Sequence, residues 1–337
     1  MSISIAVDAM GGDYGPPVTV PAAIAAVQAE PYLSLTLVGQ KQILSDALAA
    51  NGARQNERLT IHHASEVVDM DEPPAQALRK KKNSSMRVAI NLVHDGHSQA
   101  CVSAGNTGAL MATARFVLKT LPGISRPAIV SRLPGRRGAT YMLDLGANVD
   151  CSAELLLQFG VMGSILVEHV QGISAPRVAL LNIGVEDIKG NDTIKLAAEL
   201  FRASNLNYQG FIEGDELYTG AVDVVVCDGF VGNVALKASE GLAQVISESL
   251  REEFRRHWWR QLSALFALPA LNGLRRRFDH RRYNGATLIG LHGTVIKSHG
   301  GADALAFQTA IFEAVTEIRK QVTENIIAEL QPMLSQA

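Results

Sequence analysis

Short apolar runs alternate with stretches of helical period along almost the whole chain. Runs of four to seven mainly aliphatic residues fall at 3–9, 34–39, 59–64, 100–103, 140–145, 177–183, 208–212, 222–227 and 286–291. That is the length and composition of buried strands. Helical patterns lie between them at 41–51, 86–97, 107–119, 151–170, 193–203 and 232–254, with a long closing one at 302–330. Pro17 and the pair Pro73-Pro74 mark helix starts, and Ser84-Ser85 supplies a cap. The stretch 121–137, rich in Pro, Gly and Arg, reads as a long loop with a short strand inside. This alternation predicts an α/β fold with a mainly parallel sheet and helices on both faces. Without a repeat or a low-complexity tract to divide it, the chain reads as a single α/β catalytic domain over 1–337.

Ligands in such sheets gather beyond the carboxyl ends of the strands. The loops there read VDAMGGD, VSAGNTGA, LDLGANVD, NIGVEDIKG, CDGFVGN and KSHGG. All are rich in glycine, most carry Asp, Asn, Lys or His, and they are expected to line one crevice at one edge. In VSAGNTGALM (102–111) a strand stops at small polar residues and a helix begins, so bare backbone N–H groups face an anion. Glycine allows close approach there, and Ser, Asn and Thr add donors. IKSHGGAD (296–303) adds a cation and an imidazole. The two turns together predict chemistry on something small and negatively charged.

Composition narrows the picture. At 337 residues and 47% hydrophobic content the chain can bury a large core. A net charge of −2 gives no general attraction to nucleic acid. Cys101, Cys151 and Cys227 are odd in number and far apart, which argues against a disulfide framework and suits a reducing cytosol. The start MSISIAVDAMGG lacks a basic leader and is interrupted by Asp8, so it reads as a first strand. No apolar run is expected to reach the roughly 18 residues of a membrane span. His62 and His63 would point to opposite faces of a strand, and nothing completes a metal site around His94 and His97. With no G-x-G-x-x-G for a nicotinamide either, neither metal nor cofactor is expected.

AVDAMGGD (6–13), RKKKNSSM (79–86), VSAGNTGALM, LDLGANVDC, NIGVEDIKG, FIEGDEL (211–217), VVCDGFVGN and VIKSHGGAD (295–303) resemble signatures of the bacterial phosphate acyltransferase family. The resemblance covers nearly the whole chain. It implies a fold similar to isopropylmalate dehydrogenases and phosphotransacetylases, and a homodimer. It also implies the reaction of acyl-[acyl-carrier protein] with inorganic phosphate to give acyl phosphate and free carrier protein, a supply for phospholipid synthesis. Three rivals stay open. One is a phosphotransacetylase-like enzyme using acyl-coenzyme A. Another is a decarboxylating dehydrogenase, which needs acidic metal ligands and a dinucleotide site. The third is a non-catalytic scaffold that presents acyl carrier protein.

A thioester needs modest help, because its thiol leaves with a pKa of about 8.5 by analogy with Cys. The enzyme must hold phosphate roughly 3 Å from the carbonyl carbon and stabilise the oxyanion. Lys297, His299 and Asn106 are the expected catalytic residues: Lys297 neutralises phosphate, and His299 protonates the departing thiolate or binds phosphate. Gly11, Gly12, Ser103, Gly105, Thr107 and Ser298 are expected to bind phosphate. Ser298 has no G-x-S-x-G elbow around it and is not read as a nucleophile. Asp8, Asn148, Lys189 and Asn233 are expected to contact substrate, Asp8 with Asp13 either orienting donors or holding a bridging cation. Direct transfer is expected, with an acyl-thioester on Cys101 or Cys227 as the open alternative. The cations at 79–82 suit phosphate or an acidic carrier protein.

The segment 250–282 breaks the α/β rhythm and reads as a basic amphipathic helical insertion. Phe254, Trp258, Leu262, Leu265 and Phe266 recur at helical spacing, with Leu268 beyond and arginines on both flanks. Its uncharged middle, 261–274, is about 14 residues, too short to span a bilayer but suited to lying in its interface. Pro269 and Asn272-Gly273 would fold it into a hairpin. Docking on an anionic membrane through Trp258, Leu262, Leu265, Phe266 and Leu268 is expected, or packing in a dimer, or both. The expected location is the cytoplasm, peripherally on the inner face of the cell membrane.

Overall fold

A computed structural model describes residues 2–136, 138–257, 259–260, 263, 266–269, 273 and 279–334. Eleven strands form one sheet: β1 (Ile3–Asp8), β2 (Leu33–Gly39), β3 (Leu59–His63), β4 (Ala100–Ser103), β5 (Ala128–Gly135), β6 (Gly138–Leu143), β7 (Arg177–Leu181), β8 (Asn207–Ile212), β9 (Val224–Val226), β10 (Ala286–Ile289) and β11 (Thr294–Lys297). Their spatial order is β3-β2-β1-β4-β11-β10-β5-β6-β9-β7-β8.

Helices cover both faces. One face carries α1 (Pro16–Ala29), α2 (Lys41–Ala50), α6 (Ala153–Gln171), α7 (Asp192–Ala203), α9 (Ala304–Arg319) and α10 (Val322–Leu334). The other carries α3 (Pro74–Lys80), α4 (Ser85–His94), α5 (Thr107–Leu118) and the start of α8 (Gly229–Arg255). The period-2 alternation of strands sorts the residues. Ile5 and Val7 pack on the α1 side while Ala6 meets the α4 side, and Val224 and Val226 oppose Val225 in the same way. Most ladders are parallel, as the α/β rhythm predicts. The 19-residue α6 is long and apolar enough to cross a bilayer, contrary to expectation, but it is mostly buried as a core helix.

The middle of the sheet departs from the sequence reading. β5 and β6 form an antiparallel hairpin, and β10 runs antiparallel to both β11 and β5. The short strand read inside 121–137 is the eight-residue β5, longer than its pattern suggests because Arg132, Pro134 and Gly135 interrupt the apolar run. The closing helix is two helices, broken where Gln321 adopts a positive φ of 50°.

Strand direction has the largest consequence. β1, β2, β3, β4 and β11 run one way, whereas β6, β7, β8 and β9 run the other. The six glycine-rich loops therefore leave opposite edges of the sheet in two groups of three, rather than one edge.

Candidate active site

The first group stands on three adjacent strand ends. Asp8 pairs with Ser103, and Ser103 with Lys297, across β1, β4 and β11. In-register residues of a parallel sheet share a face, here the face under α4 and α5. The loops that follow are bonded to one another. Asp13 N donates to Gly300 O at 3.0 Å, and Ser298 N donates to Ser103 O at 2.8 Å. Gly11 and Gly12 allow this approach: a Cβ on Gly11 would lie 2.9 Å from Gly105 N, and one on Gly12 2.9 Å from Ala104 Cβ.

Lys297 is the buried cation of this group, only 8% exposed. Its Nζ donates to Ala104 O at 3.1 Å and to Ser298 O, so it ties two of the turns together. An ammonium has three donors, and the third remains for a ligand. Burial pulls its pKa down to about 8; Asp8 and Asp13 oppose the shift, and Lys237 of α8 adds to it.

Asp8 accepts from Ser103 Oγ at 2.6 Å, and Ser103 Oγ accepts from Gly105 N at 3.0 Å. Ser103 therefore shapes the turn, its hydroxyl proton committed to Asp8. Burial raises the Asp8 pKa, against hydrogen bonding from Ser103, Ser85, Met10 and Gly11. Asp8 Oδ1 is buried and lacks a well-aligned hydrogen-bond partner. Asp8 is thus a buried anchor for the turn after β4.

Asn106 caps α5, its Oδ1 accepting from Ala109 N at 2.9 Å. Its Nδ2 donates to Met70 O at 2.7 Å and to Glu72 O at 3.1 Å. The side chain thus joins the helix start to the strap 69–73. Lys81 pins that strap through Glu72 at 2.6 Å and Asp69 at 3.3 Å, so the 79–82 cation run has a structural member. Thr107 and Gly108 stay exposed at the mouth of α5, where orphan N–H groups and the helix dipole favour an anion.

His299 is exposed, and its Nδ1 accepts from Gly301 N at 3.1 Å. In this geometry the ring carries its proton on Nε2. Ser298 is fully buried and Asn284 Nδ2 donates to its Oγ at 2.8 Å. Asn284, Ser85 and Lys237 were not anticipated. The Asn284-Gly285 pair signals a turn but not which groups that turn meets.

The second group lies at the opposite edge by strand direction. Asn148 is 6% exposed, and its Nδ2 donates to Pro127 O at 2.8 Å and Asp144 Oδ2 at 2.9 Å. Asn148 is thereby built into the loop and has no side-chain donor left for substrate. Asp144 also accepts from Ile129 N and Ala147 N, while Asp228 caps α8. Lys189 is exposed and Asn233 half-buried, so both can meet a ligand. The exposed apolar residues Ile183, Val185 and Ile188 share the Lys189 loop.

Burial raises the Cys101 and Cys227 thiols well above their ordinary range and Cys151 to about 12. A nucleophile needs thiolate, and burial disfavours it at all three cysteines. Among the described residues, no group of three or more His, Cys, Asp or Glu side chains is placed to hold a metal. Of the insertion, Trp258, Leu262 and Leu265 lie outside the described residues. Phe266 is 89% exposed and Leu268 44%.

Comparison with known proteins agrees with this architecture. The solved phosphotransacetylase of Streptococcus pyogenes superposes over 96% of this chain and 94% of its own, with a TM-score of 0.64 at 19% identity, a likeness of fold. Residues 3–325 match the family described as fatty acid synthesis protein. The phosphate acyltransferase of Alkalilimnicola ehrlichii is 59% identical over 334 residues, spanning 99% of this chain and 98% of that protein. That of Nitrosococcus oceani is 58% identical over 336 residues, spanning 100% of this chain and 99% of that protein. The chain belongs to the phosphate acyltransferase family.

Proposed function

We propose that this chain moves a fatty acyl group from the thioester of acyl-[acyl-carrier protein] onto inorganic phosphate. The carrying observation is the junction of three glycine turns around Lys297, with the open start of α5 beside it. Phosphate would be held by the free Lys297 donor, Ser298 and the N–H groups at Thr107 and Gly108. A phosphate oxygen attacks the thioester carbonyl, the oxyanion is met by backbone donors, and the carbon–sulfur bond breaks. The hydrogen phosphate gives up its proton and the departing thiolate takes one, which balances the step. His299 Nε2–H, the free ring donor, is suited to hydrogen-bonding the phosphate, since with Nδ1 accepting from Gly301 N the neutral ring has no further proton to pass on. Lys189 and Asn233 contact the acyl donor from the side of α8. The catalytic unit is the whole chain 1–337, with 250–282 as an insertion within it.

The protein acts as a homodimer on the cytoplasmic side of the membrane. Two observations support this. Much of α8 presents apolar residues to solvent, among them Val234, Leu242, Val245 and Ile246, a face suited to a second copy. Phe266 and Leu268 are exposed within a segment flanked by arginines, each worth about 1 kcal/mol near an anionic surface.

The direct test mixes purified protein with palmitoyl-[acyl-carrier protein] and phosphate and traps acyl phosphate as hydroxamate. Phosphate-dependent product supports the reading, whereas product only from short acyl-coenzyme A replaces it with the phosphotransacetylase alternative. Changing Leu265, Phe266 and Leu268 to Glu should abolish co-sedimentation with anionic liposomes; unchanged binding by a folded dimer removes the membrane role.

A further inference from the structure

The segment that returns from the insertion grips the catalytic turn at both ends. Asn284 follows a short 3-10 helix, His280–Tyr283, and precedes β10. Its Nδ2 donates to Ser298 Oγ at 2.8 Å and to Ala306 O at 2.7 Å, and its Oδ1 accepts from His299 N at 2.9 Å. Both amide donors and one acceptor lone pair are engaged by the turn and by the start of α9. Three residues earlier, Arg281 bridges Asp279 at 2.7 Å and Asp303 at 3.1 Å, and Asp303 is the N-cap of α9. The clasp thus spans the turn from Ser298 to Asp303.

This geometry has a chemical consequence at Ser298. A hydroxyl holds one donor and two acceptor sites. Because Ser298 Oγ accepts from Asn284, its own O–H is turned away from Asn284 and is available as a donor. Ser298 is fully buried, so that donor needs an acceptor, which in the proposed reaction is an oxygen of the bound phosphate. The second contact acts on the neighbouring residue: with His299 N fixed on Asn284 Oδ1, the imidazole is held on the same turn.

We propose that Asn284 is a positioning residue for acyl transfer, aiming the Ser298 hydroxyl and fixing the His299 backbone toward bound phosphate. The inference rests on the reaction proposed above and goes beyond it by assigning a role to a residue outside the glycine turns. It does not require Asn284 to touch substrate.

The experiment compares Asn284→Ala, Asn284→Asp, Ser298→Ala and the double variant Asn284→Ala/Ser298→Ala, with thermal unfolding measured for each. Asn284→Asp keeps the acceptor for His299 N but loses the donor to Ser298 and Ala306. We expect both Asn284 variants to raise the KM for phosphate or lower kcat by about tenfold, with the KM for the acyl donor unchanged. In the double variant the loss should fall short of the sum of the two single losses, because part of the Asn284 effect runs through the Ser298 hydroxyl. Folded Asn284 variants with wild-type phosphate kinetics overturn the proposal, as does full additivity in the double variant. An equal rise in KM for both substrates also overturns it, since that marks general loosening. If the wild-type protein itself shows no phosphate-dependent turnover, the reaction reading fails and takes this inference with it.

Discussion

The ammonium of Lys297 reaches across the rim of the sheet and donates to the carbonyl oxygen of Ala104 at 3.1 Å, joining positions 193 residues apart in the chain. One side chain thereby ties the turn after β4 to the turn after β11 while keeping a donor for the phosphate of the proposed reaction. Its pKa, lowered to about 8 chiefly by burial, means that much of the free protein carries a neutral Lys297 above that pH. A bound phosphate dianion favours the charged form. Phosphate binding should therefore take up protons, increasingly as pH rises through about 8. Calorimetry in two buffers of different ionisation enthalpy at about pH 8.5 should give different apparent enthalpies; equal values count against the assignment. Lys297→Met should erase the difference and lower kcat/KM for phosphate at least about tenfold, roughly 1.4 kcal/mol of barrier. The same shift governs stability. A lysine that binds its proton less tightly when folded costs stability in full below about 8, and that cost fades as pH rises toward the ordinary 10.5.

Asn106 has two separable jobs, and substitutions can divide them. Asn106→Ala removes the cap on α5 and both bonds to the strap, and should cost about 1 kcal/mol from the cap alone. Asn106→Asp retains an acceptor for Ala109 N but cannot donate to Met70 O or Glu72 O. The Asp variant should unfold near the wild-type temperature yet be cut faster by protease within 69–73, with a matching loss of turnover. Full activity in Asn106→Asp would show that the strap has no part in catalysis.

The order of strands and helices was legible because a buried strand and an amphipathic helix each carry their own period. Strand direction in the middle of the sheet was not. The β5–β6 hairpin hides in a stretch broken by Arg132, Pro134 and Gly135, and β11 is only four residues. Without those strands the reversal between β4 and β6 is invisible, so six loops read as one crevice. Part of the candidate site was legible by residue type: Asp8, Ser103 and Lys297 lie in register on three neighbouring strand ends. Their partners were not, since nothing local to Asn148 shows that Pro127 and Asp144 take both its donors, and nothing around Asn284 points to Ser298.

Two glycines of α8 should respond to alanine with opposite sign. A Cβ on Gly232 would sit 1.9 Å from the Asp144 carbonyl oxygen, a backbone atom that cannot swing aside. Gly232→Ala should displace the start of α8 and destabilise the protein by about 1–3 kcal/mol. Nothing lies within 4 Å of a Cβ on Gly241, further along the same helix. Gly241→Ala should stabilise by about 0.5–1 kcal/mol through the greater helix propensity of alanine. Thermal unfolding of the two variants checks both, and two shifts in the same direction would refute the packing argument.

Glu317 is the acid that the proposed chemistry leaves unused. It lies in α9, 2% exposed, with its carboxyl bonded to Thr287 Oγ1 of β10. Burial raises its pKa to about 8, with Glu313 on the same helix adding repulsion and the Thr287 hydrogen bond opposing the shift. Arg132 of β5 favours the ionised form of Glu313, and Tyr141 of β6 is held on Gln171 at 2.7 Å. The folded state therefore binds the Glu317 proton more tightly than the unfolded chain does. Its stabilising effect is complete below the ordinary 4.5 and is lost progressively as pH rises toward about 8. Glu317→Gln cannot ionise and keeps an acceptor for Thr287. Relative to the wild type it should gain stability steadily across that window, on the order of 1–3 kcal/mol by pH 8. Denaturant unfolding at several pH values tests this: a difference between variant and wild type that stays constant from about pH 5 to 8 would mean that Glu317 does not titrate in the folded core.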